Sequence, residues 1–220
     1  MNAIFSNRRE AGFMLARKLH SLKLGRDSLV LALPRGGVPI AFEIALELDA
    51  PLDVFTVRKL GVPGHEELAM GAIASGGIRV LNADVVEGLN ISQDVIDAVA
   101  DREEIELHRR EQSYRQDSAP PDVKDRFLIL VDDGIATGST MLAAIQAVQS
   151  GGAAHVFVAT PLAPRSTVSK LRKTADQVVV LSTPEPFHGV GQWYEDFAQT
   201  TDSEVREFLR IANERHLEHV

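Results

Sequence analysis

The sequence predicts a three-layer α/β/α fold built on a mostly parallel sheet. Three observations predict it. Short apolar runs, SLVLAL (28–33), LDVFTV (52–57), FLILV (127–131), HVFVAT (155–160) and QVVVLS (177–182), recur along the chain. FLILV is apolar without alternation, as a strand covered on both faces must be. Stretches of helical periodicity separate these runs, and strand–helix alternation of this kind builds parallel sheets.

In chain order, 7–22 reads as an amphipathic helix with Ala11, Leu15, Leu19 and Leu22 near one face. The strand 28–33 runs into a Pro34-Arg35-Gly36-Gly37 turn, and a helix over 38–48 follows. After the strand 52–57, RKLGVPGHEEL (58–68) reads as a loop bearing Gly and Pro, with His65 the histidine to watch. AMGAIA (69–74) and IRVL (78–81), joined by Ser75-Gly76-Gly77, read as a hairpin. Residues 82–118 form a charged, strongly helical insertion whose main helix covers 92–115. A solvated surface helix is the plain reading, and a lid or an oligomer contact is the alternative. Helices are predicted at 139–150 and 165–173. The last helix starts at the capping box Thr201-Asp202-Ser203-Glu204, with Val205, Phe208, Leu209 and Ala212 on its apolar face. The expected organisation is one domain over 1–220, with the insertion at 82–118 and an aromatic segment plus helix at 184–216.

Composition narrows the function classes. Among 220 residues, 45% are apolar and 25% charged, as in an ordinary soluble globular chain. A net charge of −8 argues against a nucleic-acid binder, which needs a basic face. No apolar run reaches the ~20 residues of a membrane span, and no signal-peptide pattern opens the chain. The absence of cysteine removes disulfides, thiolate nucleophiles and Cys-ligated metals. A cytoplasmic location is the expectation, and a homodimer is left open.

The chemistry concentrates in LILVDDGIATGST (128–140). An apolar strand ends in two carboxylates, Asp132 and Asp133, and a short loop enters a helix through Ala136-Thr137-Gly138-Ser139-Thr140. A helix N-terminus presents unpaired N–H groups and partial positive charge, so it can hold a phosphate. Gly138 allows close backbone approach, and the three hydroxyls add donors. The carboxylates, a few ångströms away, can accept from vicinal hydroxyls. A phosphorylated sugar with a cis-diol fits both ends. Any single residue here could equally be a turn or cap residue. A Walker A loop is excluded, because Ser139 stands where that motif requires Lys.

VDDGIATGST resembles the PRPP-binding motif of type I phosphoribosyltransferases. That resemblance implies a sheet of order 3-2-1-4-5-6 with an antiparallel strand 3, filled here by 69–74. It implies that Asp132 and Asp133 hold the ribose hydroxyls, Asp132 through Mg²⁺ or its water. Ala136, Thr137, Gly138, Ser139 and Thr140 would then hold the 5′-phosphate. PRGG resembles the family's pyrophosphate loop, with Arg35, Gly36 and Gly37 as contacts, although such a turn is as often structural. Arg58 and Lys59 stand where the family carries basic residues for pyrophosphate, and they read equally well as a solvated strand exit. A mobile loop would follow them.

Together PRGGVPIA, VRKLGVPGHEELAMGAI, VDDGIATGST and VGQWYEDF are similar to a bacterial group called phosphoribosyltransferases. The resemblance covers nearly the whole chain. It implies an enzyme using PRPP and Mg²⁺, with Arg35, Lys59, Asp132 and Asp133 as catalytic residues and a nitrogen base, a purine among the candidates, as acceptor. Val190, Trp193 and Tyr194 either stack on that base or anchor the C-terminal segment in the core. Ala136 departs from the 6-oxopurine enzymes, which carry an acid there. A regulator binding PRPP or a nucleotide without turnover is the alternative.

Overall fold

A computed structural model of the chain describes residues 3–22, 27–115 and 119–218. The helices are α1 (Arg8–His20), α2 (Gly37–Leu48), α3 (Ala83–Gly88), α4 (Gln93–Arg115), α5 (Ser139–Ser150), α6 (Arg165–Leu171) and α7 (Asp202–Glu218). The strands are β1 (Ser28–Ala32), β2 (Leu52–Val54), β3 (Val57–Val62), β4 (His65–Ala74), β5 (Ile78–Leu81), β6 (Phe127–Val131), β7 (His155–Leu162) and β8 (Gln177–Ser182).

Five strands form one parallel sheet in the order β2-β1-β6-β7-β8. Strand side chains alternate faces, so the apolar runs feed two cores at once. Val30, Ala32, Ile129 and Val131 pack with α1, α2 and α7 on one face. Leu29, Leu31, Leu128 and Leu130 pack with α5 and α6 on the other. This double burial is why the runs show no polar alternation. The predicted α/β/α layering and parallel sheet are therefore observed.

The predicted antiparallel strand 3 is not in that sheet. Residues 69–74 belong to a separate antiparallel sheet of order β3-β4-β5. The backbone leaves the main sheet at Phe55-Thr56, and β4 pairs with the continuing chain of β3 instead of with β2. The segment expected as a loop, 58–68, is largely the β3–β4 hairpin, turning at Pro63-Gly64 where Gly64 takes φ +80°. Its glycines suggested a loop because they lie in the turn and beside a register shift at Leu60–Val62. The β4–β5 hairpin is observed as predicted.

Helix α4 is not merely a solvated surface helix. Ile96, Val99, Ala100 and Leu107 cover Leu60, Val62, Met70 and Ile73 of the second sheet. Near its end, Arg115 bonds Asp53 at 2.7 Å, Glu111 at 2.8 Å and the Val54 carbonyl. The insertion thus spans from the second sheet to the edge of the first; its residues 116–118 lie outside the described residues. Among the described residues, no helix is long and apolar enough to cross a membrane.

At α1 and α7 the helix start carries side-chain caps. Asn7 accepts from the Glu10 amide at 3.0 Å, and Glu10 accepts from the Ser6 amide. Thr201 and Glu204 form the predicted reciprocal box at α7. Leu22, expected on the buried face of α1, lies past the helix end and is exposed.

Candidate active site

β1 and β6 are parallel neighbours, Ala32 opposite Val131, so their C-terminal ends meet at one edge. The chain goes from β1 to β2 on one side and returns as β6 on the other. This is the topological switch point where open α/β sheets bind ligands. The PRGG turn and the VDDG strand end converge there. The Leu33 amide donates to the Val131 carbonyl at 2.8 Å. A Cβ at Gly36 would stand 2.1 Å from Asp133 Oδ2, and one at Gly37 would stand 2.6 Å from the Val131 oxygen. Glycine at both positions is what lets the two segments touch. The Pro34–Arg35 peptide is cis.

Asp133 is clamped. Its Oδ2 accepts from Arg8 Nε at 2.8 Å, and both side chains are largely buried. Arg8 also donates to the Ala198 carbonyl at 2.7 Å and lies over the Phe197 ring at 3.8 Å. The Tyr194 hydroxyl donates to the Asp133 backbone carbonyl at 2.6 Å. The Asp133 amide donates to Asp132 Oδ1 at 2.9 Å. Burial pushes the Asp132 carboxyl well above the ordinary range, and the neighbouring Asp133 charge pushes it further. Burial raises Asp133 as well, but Arg8 opposes it through its hydrogen bond and charge.

On the other side, Gly138 is buried at φ +82° and leads directly into α5; as the N-cap residue it brings no side chain, and Thr137 Oγ1 stands 3.5 Å from the Ser139 amide. The orphan N–H groups of α5 face a rim made of Ala136, Thr137, Ser139 and Thr140, all exposed. Thr137 Oγ1 and Ser139 Oγ lie 3.3 Å apart. The loop is held from behind by Thr167 of α6, which donates to the Ala136 carbonyl at 2.6 Å. The strand-end acids and the glycine turn therefore touch, and α5 begins six residues after Asp133.

The basic residues are dispersed more widely. Arg35 reaches Asp202 at 3.3 Å. Arg58 donates twice to Glu103 of α4, at 2.9 and 2.5 Å. Lys59, next along β3, is half-buried and makes no ion pair among the described residues. His65 is exposed at the start of β4.

The proposed base-stacking aromatics are corrected by their burial. Trp193 and Tyr194 are 6% and 5% exposed and pack with Phe5, Ala11 and Leu162. Tyr194 stacks on Phe197 with ring centroids 5.1 Å apart. The rings are engaged with one another and with the core, so they offer no free face to a base. Val190 is half-buried and stands against Gly134, where a Cβ would approach its Cγ1 to 2.4 Å.

Sequence reasoning missed Arg8 and Thr167 and misassigned Tyr194. No spacing rule links residue 8 to residue 133, and only the packing of α1 beside the strand ends brings them together. A cavity of about 850 Å³, lined by Gly76, Glu111, Arg115 and Val123 among others, takes in neither the strand-end acids nor the PRGG turn. Its inward charges Glu111 and Arg115 are already bonded to each other.

Residues 8–195 match the phosphoribosyl transferase domain family. The chain belongs to this family. It is 48% identical over 210 residues to proteins of two Mycobacterium tuberculosis strains, each named "Putative phosphoribosyl transferase". That alignment covers 96% of this chain and 47% of the relatives, so the chain spans about half the length of the curated relatives it matches. It is also similar to a Thermus thermophilus protein of known crystal structure. There the identity is 41% and the TM-score 0.86, over 93% of this chain and 97% of that one. In this phosphoribosyl transferase domain, the matched span includes Arg8, PRGG, the VDDG–TGST segment and Tyr194.

Proposed function

We propose that the chain transfers the 5-phosphoribosyl group of PRPP to a nitrogen base with release of pyrophosphate. The observation that carries this is the convergence of Asp132, Asp133 and the PRGG turn at one switch point, with α5 beginning six residues after Asp133. Thr137, Ser139, Thr140 and the α5 amides would grip the 5′-phosphate, with Ala136 and Gly138 shaping the loop. Asp132 and the free Oδ1 of Asp133 would accept from the ribose hydroxyls. Gly36, Gly37, Arg35, Arg58 and Lys59 lie on the diphosphate side.

In the transfer, the base nitrogen bonds C1′ as the C1′–oxygen bond breaks, and the bonding pair leaves on diphosphate. The leaving charge requires positive groups aimed at it. Arg58 is held by Glu103 in this state, so Lys59 is the cation free to follow the leaving group.

Asp132 fits Mg²⁺, a hard cation commonly held by one or two carboxylates plus substrate oxygens. A dication beside Asp132 would oppose the burial that raises its carboxyl. When bound, Mg²⁺ would neutralise phosphate charge. The net charge of −8 fits small-molecule ligands better than nucleic acid, whose phosphates a basic face must neutralise.

Calorimetry with Mg²⁺ and PRPP tests the site. Wild type should bind, and Asp132→Asn combined with Asp133→Asn should abolish binding while leaving the far-UV spectrum intact. Equal affinity in the variant would refute the assignment. One observation favours a second reading. Ala136 offers no acid or base at the loop, and its carbonyl is taken by Thr167. A PRPP-binding regulator would therefore bind in the same assay yet release no pyrophosphate across a panel of bases.

A further inference from the structure

Gly36 of the PRGG turn faces Asp133, but Arg35 points the other way, toward α7. On that side lies a cavity of about 320 Å³ walled by Pro34, Arg35, Arg109, Arg110, Tyr114 and Asp202. Arg109 and Arg110 come from α4, the helical insertion, which the ribose-phosphate site does not use. Three arginines from two distant segments of an acidic protein therefore line one small concavity.

Tyr114 supplies a second observation. The residue is 6% exposed and lines the cavity, and its hydroxyl hydrogen-bonds no group among the described residues. Asp202, Arg35, Arg109 and Arg110 line the same cavity. The Tyr114 hydroxyl is not sealed in the core, so it can donate to an acceptor bound in the cavity that the residue lines.

We propose that this pocket binds a diphosphate group, held by Arg35, Arg109 and Arg110 with a hydrogen bond from Tyr114. Planar guanidinium forks match phosphate oxygens, and several around one cavity suit a group with two phosphates. Two carboxylates compete. Asp202 meets Arg35 at 3.3 Å, and Glu106 bonds Arg109 and Arg110 at 2.8–2.9 Å. Three cations against these two anions leave one net positive charge. The Glu106 pairs lie on an exposed helix face, where ion pairs contribute little and are readily exchanged. The group could be the diphosphate of PRPP or a separate polyphosphate anion. Only the first source rests on the proposed PRPP reaction.

The test is calorimetry on the full chain with inorganic pyrophosphate and, separately, ribose 5-phosphate. Arg109→Gln combined with Arg110→Gln should weaken pyrophosphate at least tenfold, and Tyr114→Phe should weaken it severalfold. Ribose 5-phosphate affinity should stay within twofold in both variants. Competition between pyrophosphate and PRPP would assign the pocket to the substrate's own diphosphate, and simultaneous binding would assign it to a separate anion. Unchanged pyrophosphate affinity in the double variant overturns the pocket, as does an equal loss of ribose 5-phosphate. Wild type that binds pyrophosphate but neither ribose 5-phosphate nor PRPP would leave the pocket standing and remove the phosphoribosyl reading instead.

Discussion

Asp132 and Asp133 are adjacent in the chain, yet their surroundings differ. Asp133 has Arg8 at 2.8 Å, while Asp132 has burial and a neighbouring negative charge. A carboxyl whose pKa is raised on folding binds its proton more tightly when folded than when unfolded. Its folded state is then favoured at low pH and loses stability as pH rises from the ordinary carboxylate range through the raised value. Asp132→Asn should therefore raise the Tm of the ligand-free protein at neutral pH, by about 2–4 °C per kcal/mol relieved, and flatten its acid-side pH dependence. Thermal scans across pH check this, and a lower Tm at neutral pH would contradict it. Removing the partner of Asp133 has the opposite sign. Arg8→Met leaves a buried carboxylate unpaired and should cost about 3 kcal/mol, measured by urea unfolding at pH 7. Arg8→Lys should recover only part, since one ammonium cannot reproduce the fork that also reaches Ala198.

Elements, as distinct from residues, set how the site is held. The PRGG turn and β6 touch because two positions lack a Cβ. Gly37→Ala would drive a methyl to 2.6 Å from a backbone oxygen that cannot move aside. It should destabilise by about 1–3 kcal/mol, as overpacking does, and separate β1 from β6 at the crevice. Chemical denaturation measures the first effect, and PRPP calorimetry the second. Helix α4 is pinned differently, through a buried Arg115 between Asp53 and Glu111. Arg115→Met strands two carboxylates and should cost about 3–5 kcal/mol. Arg115→Met with Glu111→Leu should recover only the Glu111 share of that loss, because an apolar pair can replace that ion pair while Asp53 stays unpaired.

At the scale of the molecule, two sheets share one chain but differ in how they are covered. The parallel sheet is packed on both faces, whereas the antiparallel sheet relies on α4, with α5 beneath it. Ile96→Ala, at the centre of that contact, should cost about 2–5 kcal/mol. The loss should appear locally, as faster amide exchange in β3, β4 and α4 with β1 and β6 still protected. Uniform loss of protection would show that the two sheets unfold as one unit.

The sequence alone determined the parallel α/β core and the phosphate-loop segment, since apolar runs, caps and the DD–TGST string are local signals. Asn7, Thr201 and FLILV behaved as their neighbours dictate. The placement of 69–74 was not legible, because strand pairing depends on where the chain leaves a sheet, here Phe55-Thr56. Nor were the roles of Arg8, Thr167 and Tyr194, which act on residues 125, 31 and 61 positions away. Packing decided those. Burial turned the C-terminal aromatics from an expected stacking platform into a strut under Asp133, because their rings exclude water best against Phe5 and Leu162.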